Sequence, residues 1–193
     1  MHGKGMYESK RHKFMFEGDF KYGLRDGYGV YSIFRKGKYH KEYVGSWKAN
    51  LYHGHGVKFY DIEGTEMYDG EWFEGKRSGW GRMTYADGSV YEGEWLEDQR
   101  CGRGLLLLAN QNRYEGEWEN DLKHGRGTFY YINKGQCYQG VWKDGTPKCG
   151  EMIDMERERA DDPTKYAIPQ LGLKDAEDVL DAAETSVLAL NEE

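Results

Sequence analysis

At 193 residues the chain is long enough for one domain with an appendage. With 16 Tyr, 7 Phe and 6 Trp it is too aromatic to be disordered, and 27 Gly with a mean hydropathy of -0.94 exclude an ordinary compact globule. The net charge of -7 is unevenly placed, because residues 1–150 hold 23 Lys and Arg against 21 Asp and Glu, whereas residues 151–193 hold 4 against 13.

A thin sheet rich in glycine and aromatic residues fits this composition. Within it, residues 1–60 carry 12 basic against 5 acidic side chains, so the array begins basic. Cys101, Cys137 and Cys149 are odd in number and lack C-x-x-C spacing. No signal-peptide stretch or long apolar run is present, so a reducing, cytoplasmic setting is expected and any membrane role would be peripheral.

In chain order, His2-Gly3-Lys4-Gly5-Met6-Tyr7 matches His124-Gly125-Arg126-Gly127-Thr128-Phe129. The chain thus opens on the second half of a hairpin, through either a shortened start or an open sheet edge. Further copies begin at Phe16, Tyr43, Tyr68, Tyr91, Tyr114 and Tyr138. In the first five, the first glycine of G-x-G always lies 11 residues on, as from Tyr114 to Gly125. The hairpin is constant, then, and the links between hairpins vary, with insertions at Arg35 to Lys41 and Asp61 to Glu66. The short link Ala86-Asp87-Gly88-Ser89 carries a turn signal.

Tyr114, Gly116 and Trp118 alternate onto one face of an extended strand, with Glu115 and Glu117 on the other. Glu119 to His124 reads as a six-residue hairpin loop. The constant spacing predicts Trp118 opposite Gly125, Gly116 opposite Gly127, Tyr114 opposite Phe129 and Glu117 opposite Arg126. By the same register Trp95 meets Gly102, Glu94 meets Arg103, Trp72 meets Gly79 and Glu71 meets Trp80. About eleven or twelve antiparallel strands would twist and curl, leaving a concave and a convex face.

The copy at Tyr138 keeps Tyr138-Gln139-Gly140-Val141-Trp142 but has only one late glycine, Gly150, so it reads as a terminal cap closed by Pro147. The reading divides the chain into a hairpin array over 1–150, a charged linker over 151–170 and an acidic tail over 171–193. In the tail Leu173, Ala176, Leu180, Ala183, Val187 and Leu190 form the seam of an amphipathic helix, with Asp175 as candidate N-cap. Docking of this helix on the sheet, dimerisation and partner binding are all open to it.

The pattern Y-x-G-x-W followed by G-x-G, seen in Tyr91 to Gly104 and Tyr114 to Gly127, closely resembles the MORN (membrane occupation and recognition nexus) repeat over about three quarters of the chain. That resemblance implies an all-β fold, an elongated, curved and twisted single-layer antiparallel sheet of stacked MORN β-hairpins, here with a C-terminal α-helix. It also implies scaffolds without catalysis of their own, several of them in cilia, flagella and sperm. Other relatives join these repeats to a lipid kinase or a methyltransferase. The chain departs from the pattern at Phe20, where Trp is usual, and at Ser78 and Cys101, where His is common.

No residue set reads as catalytic, cofactor-binding or metal-binding. The ladder His53, Ser78, Cys101 and His124 places equivalent residues about 9–10 Å apart, two strands on, whereas zinc needs ligand atoms at about 2.0–2.3 Å. Phosphate-cradle glycine motifs lack their context, and paired acids such as Glu92/Glu94 recur too often to be a catalytic pair. Trp47, Trp72, Trp95, Trp118 and Trp142, with Trp80, Tyr68, Tyr91 and Tyr114, are either the sheet's own packing or the anchors of a partner.

Lys10, Arg11, Lys13, Arg35, Lys36 and Lys38 are candidates for contact with an anionic surface, lipid or protein, or form a solvated face. Nucleic acid is disfavoured by the acidity and the lack of a recognition module. The expectation is a non-enzymatic scaffold or adaptor for ciliary or cytoskeletal protein partners, with self-association open. The alternative is a peripheral membrane or phosphoinositide-binding module.

Overall fold

The computed structural model describes residues 2–155. The expected tail helix and all but the first five residues of the expected linker lie outside them. Thirteen strands follow one another in the sheet in chain order, with no crossover.

Two compact units divide at Asp98 and Gln99. The first contains β1 (Gly3–Ser9), β2 (Phe14–Lys21), β3 (Leu24–Arg35), β4 (Lys38–Lys48), β5 (Leu51–Phe59), β6 (Met67–Phe73), β7 (Lys76–Thr84) and β8 (Val90–Leu96). The second contains β9 (Gln99–Leu107), β10 (Arg113–Glu119), β11 (Leu122–Tyr131), β12 (Gln136–Lys143) and β13 (Thr146–Asp154), with a 3-10 turn at Ile132–Lys134. The fold is a single antiparallel layer, as expected, with one more strand than the upper count. The last strand runs through Asp154, past residue 150.

The repeated hairpin is tighter than the sequence suggested. Glu119 pairs with Leu122, so the connection is the two residues Asn120 and Asp121, with φ of 49° and 67°. Positive φ at both central positions is the primed turn whose twist matches that of the strands, and Asn and Asp adopt it at low cost. The expected loop of Glu119 to His124 is therefore mostly strand.

Register is where the expectation divides. Gly116 pairs with Gly127 and Tyr114 with Phe129, as predicted. Beyond Gly116 the register jumps, so Glu117 pairs with His124 and Trp118 with Lys123, while Gly125 and Arg126 form a two-residue bulge. Gly125 has φ 58° and Arg126 N–H donates to Glu117 Oε2 at 3.3 Å, so Glu117 does meet Arg126, though at its backbone.

The predicted tryptophan–glycine pairing exists, but one hairpin earlier. Trp118 faces Gly102, Glu117 faces Arg103, and Trp142 faces Gly125. Likewise Trp72 faces Gly54 on one side and Arg77, rather than Gly79, in its own hairpin, Glu71 faces His55 rather than Trp80, Trp95 faces Gly79, and Glu94 faces Trp80. The physical reason is the bulge, which removes the glycine from the hairpin ladder and leaves it to the next strand.

The departures at the links are also structural. The insertion at 35–41 lengthens β3 to 12 and β4 to 11 residues, against seven in β6, and is closed by a tight turn at Lys36 and Gly37. The Asp87-Gly88 signal is a turn, with Ser89 N–H on Asp87 Oδ1 at 2.8 Å. In the last copy the register shifts by one residue rather than two between Val141 and Trp142. This absorbs the missing residue and keeps Gly140 opposite Gly150.

The invariant element is the paired glycines. At Gly116 an added Cβ would strike the Gly127 Cα, and at Gly127 it would collide with the Tyr114 ring. The same contacts bind Tyr43 to Gly45 and Gly56, and Tyr68 to Gly70 and Gly81. We expect Gly127→Ala to cost about 1–3 kcal/mol in urea unfolding, as an overpacking substitution. An unchanged midpoint would mean that the ring does not need the gap.

Candidate partner-binding surface

The rings of Tyr43, Tyr68 and Tyr114 lie against their glycine pairs, and four repeat tyrosines donate the hydroxyl to the carbonyl three residues on. Tyr43 bonds Ser46 O at 3.0 Å, Tyr68 bonds Glu71 O at 3.0 Å, Tyr91 bonds Glu94 O at 3.2 Å and Tyr114 bonds Glu117 O at 3.0 Å. This satisfies the one polar atom of a buried ring. Each tryptophan then reaches back one hairpin. The indole N–H of Trp72 donates to Gly56 O at 3.0 Å, that of Trp95 to Gly81 O at 3.2 Å, and that of Trp142 to Gly127 O at 3.1 Å.

Rings interlock along this face. Tyr43 meets Trp47 at 5.1 Å and Trp72 at 5.7 Å, and Tyr114 meets Trp118 at 5.3 Å and Trp142 at 5.2 Å, all close to perpendicular. Edge-to-face contact places ring edges on the negative π faces.

A cation completes the cover. Arg25 sits over Trp47 at 4.2 Å, Arg77 over Trp95 at 4.2 Å, Arg100 over Trp118 at 4.3 Å and Lys123 over Trp142 at 4.8 Å. The arginines are held in turn. Arg77 donates from N and Nε to Asp98 Oδ1, both at 3.0 Å, and from Nη2 to Asp98 O at 2.8 Å, and Arg100 treats Asp121 in the same way. Arg25 binds Asn50 similarly. Each following turn is thereby clamped onto the preceding hairpin.

Of the candidate anchors, Trp47, Trp72, Trp95, Trp118 and Trp142 are only 3–5% exposed, and Tyr68, Tyr91 and Tyr114 are fully buried. They are the packing of the sheet. Trp80 differs, being 53% exposed and opposite Glu94 on the other face. Tyr28, Phe73 and Leu96 share that face in the first unit and are also exposed.

The basic candidates come from two turns. Phe34 N–H donates to Lys13 O at 2.7 Å, which joins the end of β2 to β3 and sets Lys10, Arg11 and Lys13 beside Arg35, Lys36 and Lys38. All six are exposed, and Lys36 lies 3.9 Å from Glu63.

Among the described residues no three His, Cys, Asp or Glu side chains gather as a metal cradle, and no helix is long and apolar enough to cross a membrane. The clamp residues Arg25, Arg77, Arg100 and Lys123 were not singled out from sequence. Their signal was present, since each stands two residues before the first glycine of G-x-G.

These hairpins, with a tyrosine over a glycine pair and a tryptophan reaching the previous copy, define a repeat-array protein. The chain belongs to the MORN repeat family, whose model matches residues 16–34, 43–61, 68–90, 91–113 and 114–136. It is 51% identical over 193 residues to MORN repeat-containing protein 3 of Xenopus laevis, covering 99% of this chain and 80% of that protein. The protein of that name from Mus musculus is 43% identical over 65 residues, 34% of this chain and 27% of its own length. Alsin of Homo sapiens is 36% identical over 83 residues, 42% of this chain and 5% of that protein.

Burial drives the phenols of Tyr43, Tyr52, Tyr68 and Tyr114 well above their usual 10.0. A raised folded-state value contributes stability that is complete below the unfolded value and lost as pH rises beyond it. Burial of the Lys123 ammonium lowers its value and acts in the opposite sense, but four phenols outnumber one amine. Stability should therefore fall above about pH 10, with tyrosinate absorbance appearing together with loss of the sheet's circular dichroism. Full ionisation in a chain that stays folded would contradict this.

Proposed function

We propose that this chain is a non-enzymatic scaffold or adaptor that holds segments of partner proteins, in the cytoplasm of cilia, flagella or sperm. The observation that carries the reading is the contrast among tryptophans. The five that build the repeat are consumed by packing, whereas Trp80, which the repeat does not require, stands exposed opposite Glu94 on the glutamate-bearing face. Exposed aromatic side chains that serve no internal packing are the usual anchors of protein interfaces. Membership of the MORN family supports the scaffold reading, and the ciliary or sperm setting rests on the family resemblance alone.

The test is affinity capture from ciliated-cell or sperm lysate. Truncating Trp95 or Trp118 would remove buried rings at about 3–5 kcal/mol each and would confuse binding with folding. Trp80→Ala is the informative variant. It should keep the wild-type urea midpoint while recovering several-fold less of the captured proteins, and equal recovery would sink the reading.

A second reading, a peripheral module on anionic lipid, is favoured by the backbone bond that brings the two basic turns together. Flotation with phosphatidylserine vesicles at low salt should then carry the chain upward, and charge reversal at Lys10, Arg11 and Lys13 should abolish this. A chain that stays at the bottom of the gradient excludes the lipid reading.

A further inference from the structure

The overgrown β3–β4 hairpin builds something that the regular repeat lacks. A cavity of about 150 Å³ lies where it meets β5 and the 60–66 link, lined by Arg35, His40, Lys41, Glu42, Lys58 and Tyr60 among others. His40 Nε2 is buried there with no hydrogen-bond partner. A buried imidazole nitrogen left unpaired costs free energy that a bound ligand would recover.

The surrounding charges say which kind of ligand. Among the described residues Arg35 and Lys41 have no ion-pair partner, and the Lys58 ammonium lies 5.3 Å from the ring centroids of Tyr52 and Tyr60. Of the nearby acids, Asp61 is occupied by its own link, accepting from Thr65 N–H at 2.9 Å, from the Thr65 hydroxyl and from Glu66 N–H at 3.0 Å. Glu42 remains. The cavity therefore has a surplus of cations and an imidazole able to donate.

Its size is telling. Sites for whole small molecules occupy about 300–1,000 Å³, so this cavity suits one side chain. Glu42 in its wall and Glu63, which follows the lining residue Ile62 and pairs with Lys36, would repel a continuous anionic film but tolerate an occupant with discrete charges.

We propose that the cavity seats one carboxylate of an acidic peptide segment, with His40 Nε2–H donating to it, Arg35 and Lys41 pairing with it, and the neighbouring turn cations Lys13 and Lys38 receiving the flanking acids. This rests on the reading that the array holds partner segments and names the chemistry of one of them. The hairpin insertion is thus a recognition element added to an otherwise uniform array.

The experiment uses the full chain and a fluorescent ten-residue peptide of alternating Glu and Ser, with a Gln-for-Glu peptide as control. The acidic peptide should bind with strong salt dependence and perturb the His40 ring signals in NMR, while the Gln peptide should not bind. Arg35→Glu with Lys41→Glu, both exposed positions, should weaken binding about tenfold or more, and His40→Leu should weaken it with the surface cations intact. Binding equal in these variants, or no binding, overturns the proposal. Inorganic phosphate binding without peptide binding would make this a free-oxyanion site. Phosphatidylserine vesicles that bind through Arg35 and Lys41 when the peptide does not would assign it to membranes, and either result also overturns the proposal. Capture that still depends on Trp80 would separate failure here from failure of the scaffold reading.

Discussion

Everything in this sheet depends on a tyrosine ring lying flat across two paired glycines. The ring needs the space that two missing Cβ atoms leave, and the backbone needs the ring because glycine offers no side chain to bury. The hydroxyl then reaches the carbonyl beside the bulge, so one side chain fills, covers and hydrogen-bonds the weakest point of the hairpin. Sliding the register by one residue would put the ring on the opposite face from the pair, which explains why the glycine pairing survives even in the irregular last copy.

From that unit the array follows. The bulge frees a glycine for the tryptophan of the next hairpin, whose indole bonds the previous copy, and an arginine covers the indole while gripping the turn beyond it. Contacts of this kind join nearest neighbours only, so stability is expected to accumulate hairpin by hairpin. Because packing consumes the repeated aromatics, the recognition proposed for this chain falls to what differs between copies. These are Trp80 on the open face, the basic turns, and the cavity under the long β3–β4 hairpin.

The candidate sites were unevenly legible. A tryptophan recurring at constant spacing looks the same in sequence whether it packs or binds, and only its covering by Tyr and Arg neighbours from other strands separates the two. Trp80 was visible as an irregularity because it interrupts G-x-G where other copies carry a smaller or charged residue. The His40 cavity was not visible, since its walls come from β3, β4, β5 and the 60–66 link. Sequence showed only that residues 35–41 and 61–66 were extra.

By itself, the sequence determined the repeat, its hairpin length, the alternation of aromatic and acidic faces, the glycine pairing and the antiparallel order of strands. These follow from period-two patterning and constant spacing, which are local properties of the chain. The tertiary structure decided which glycine each tryptophan faces, because a two-residue bulge leaves spacing unchanged while shifting every partner beyond it. It also decided the burial of the ladder and the union of the two basic turns, which depend on side chains that meet only when separate strands pair.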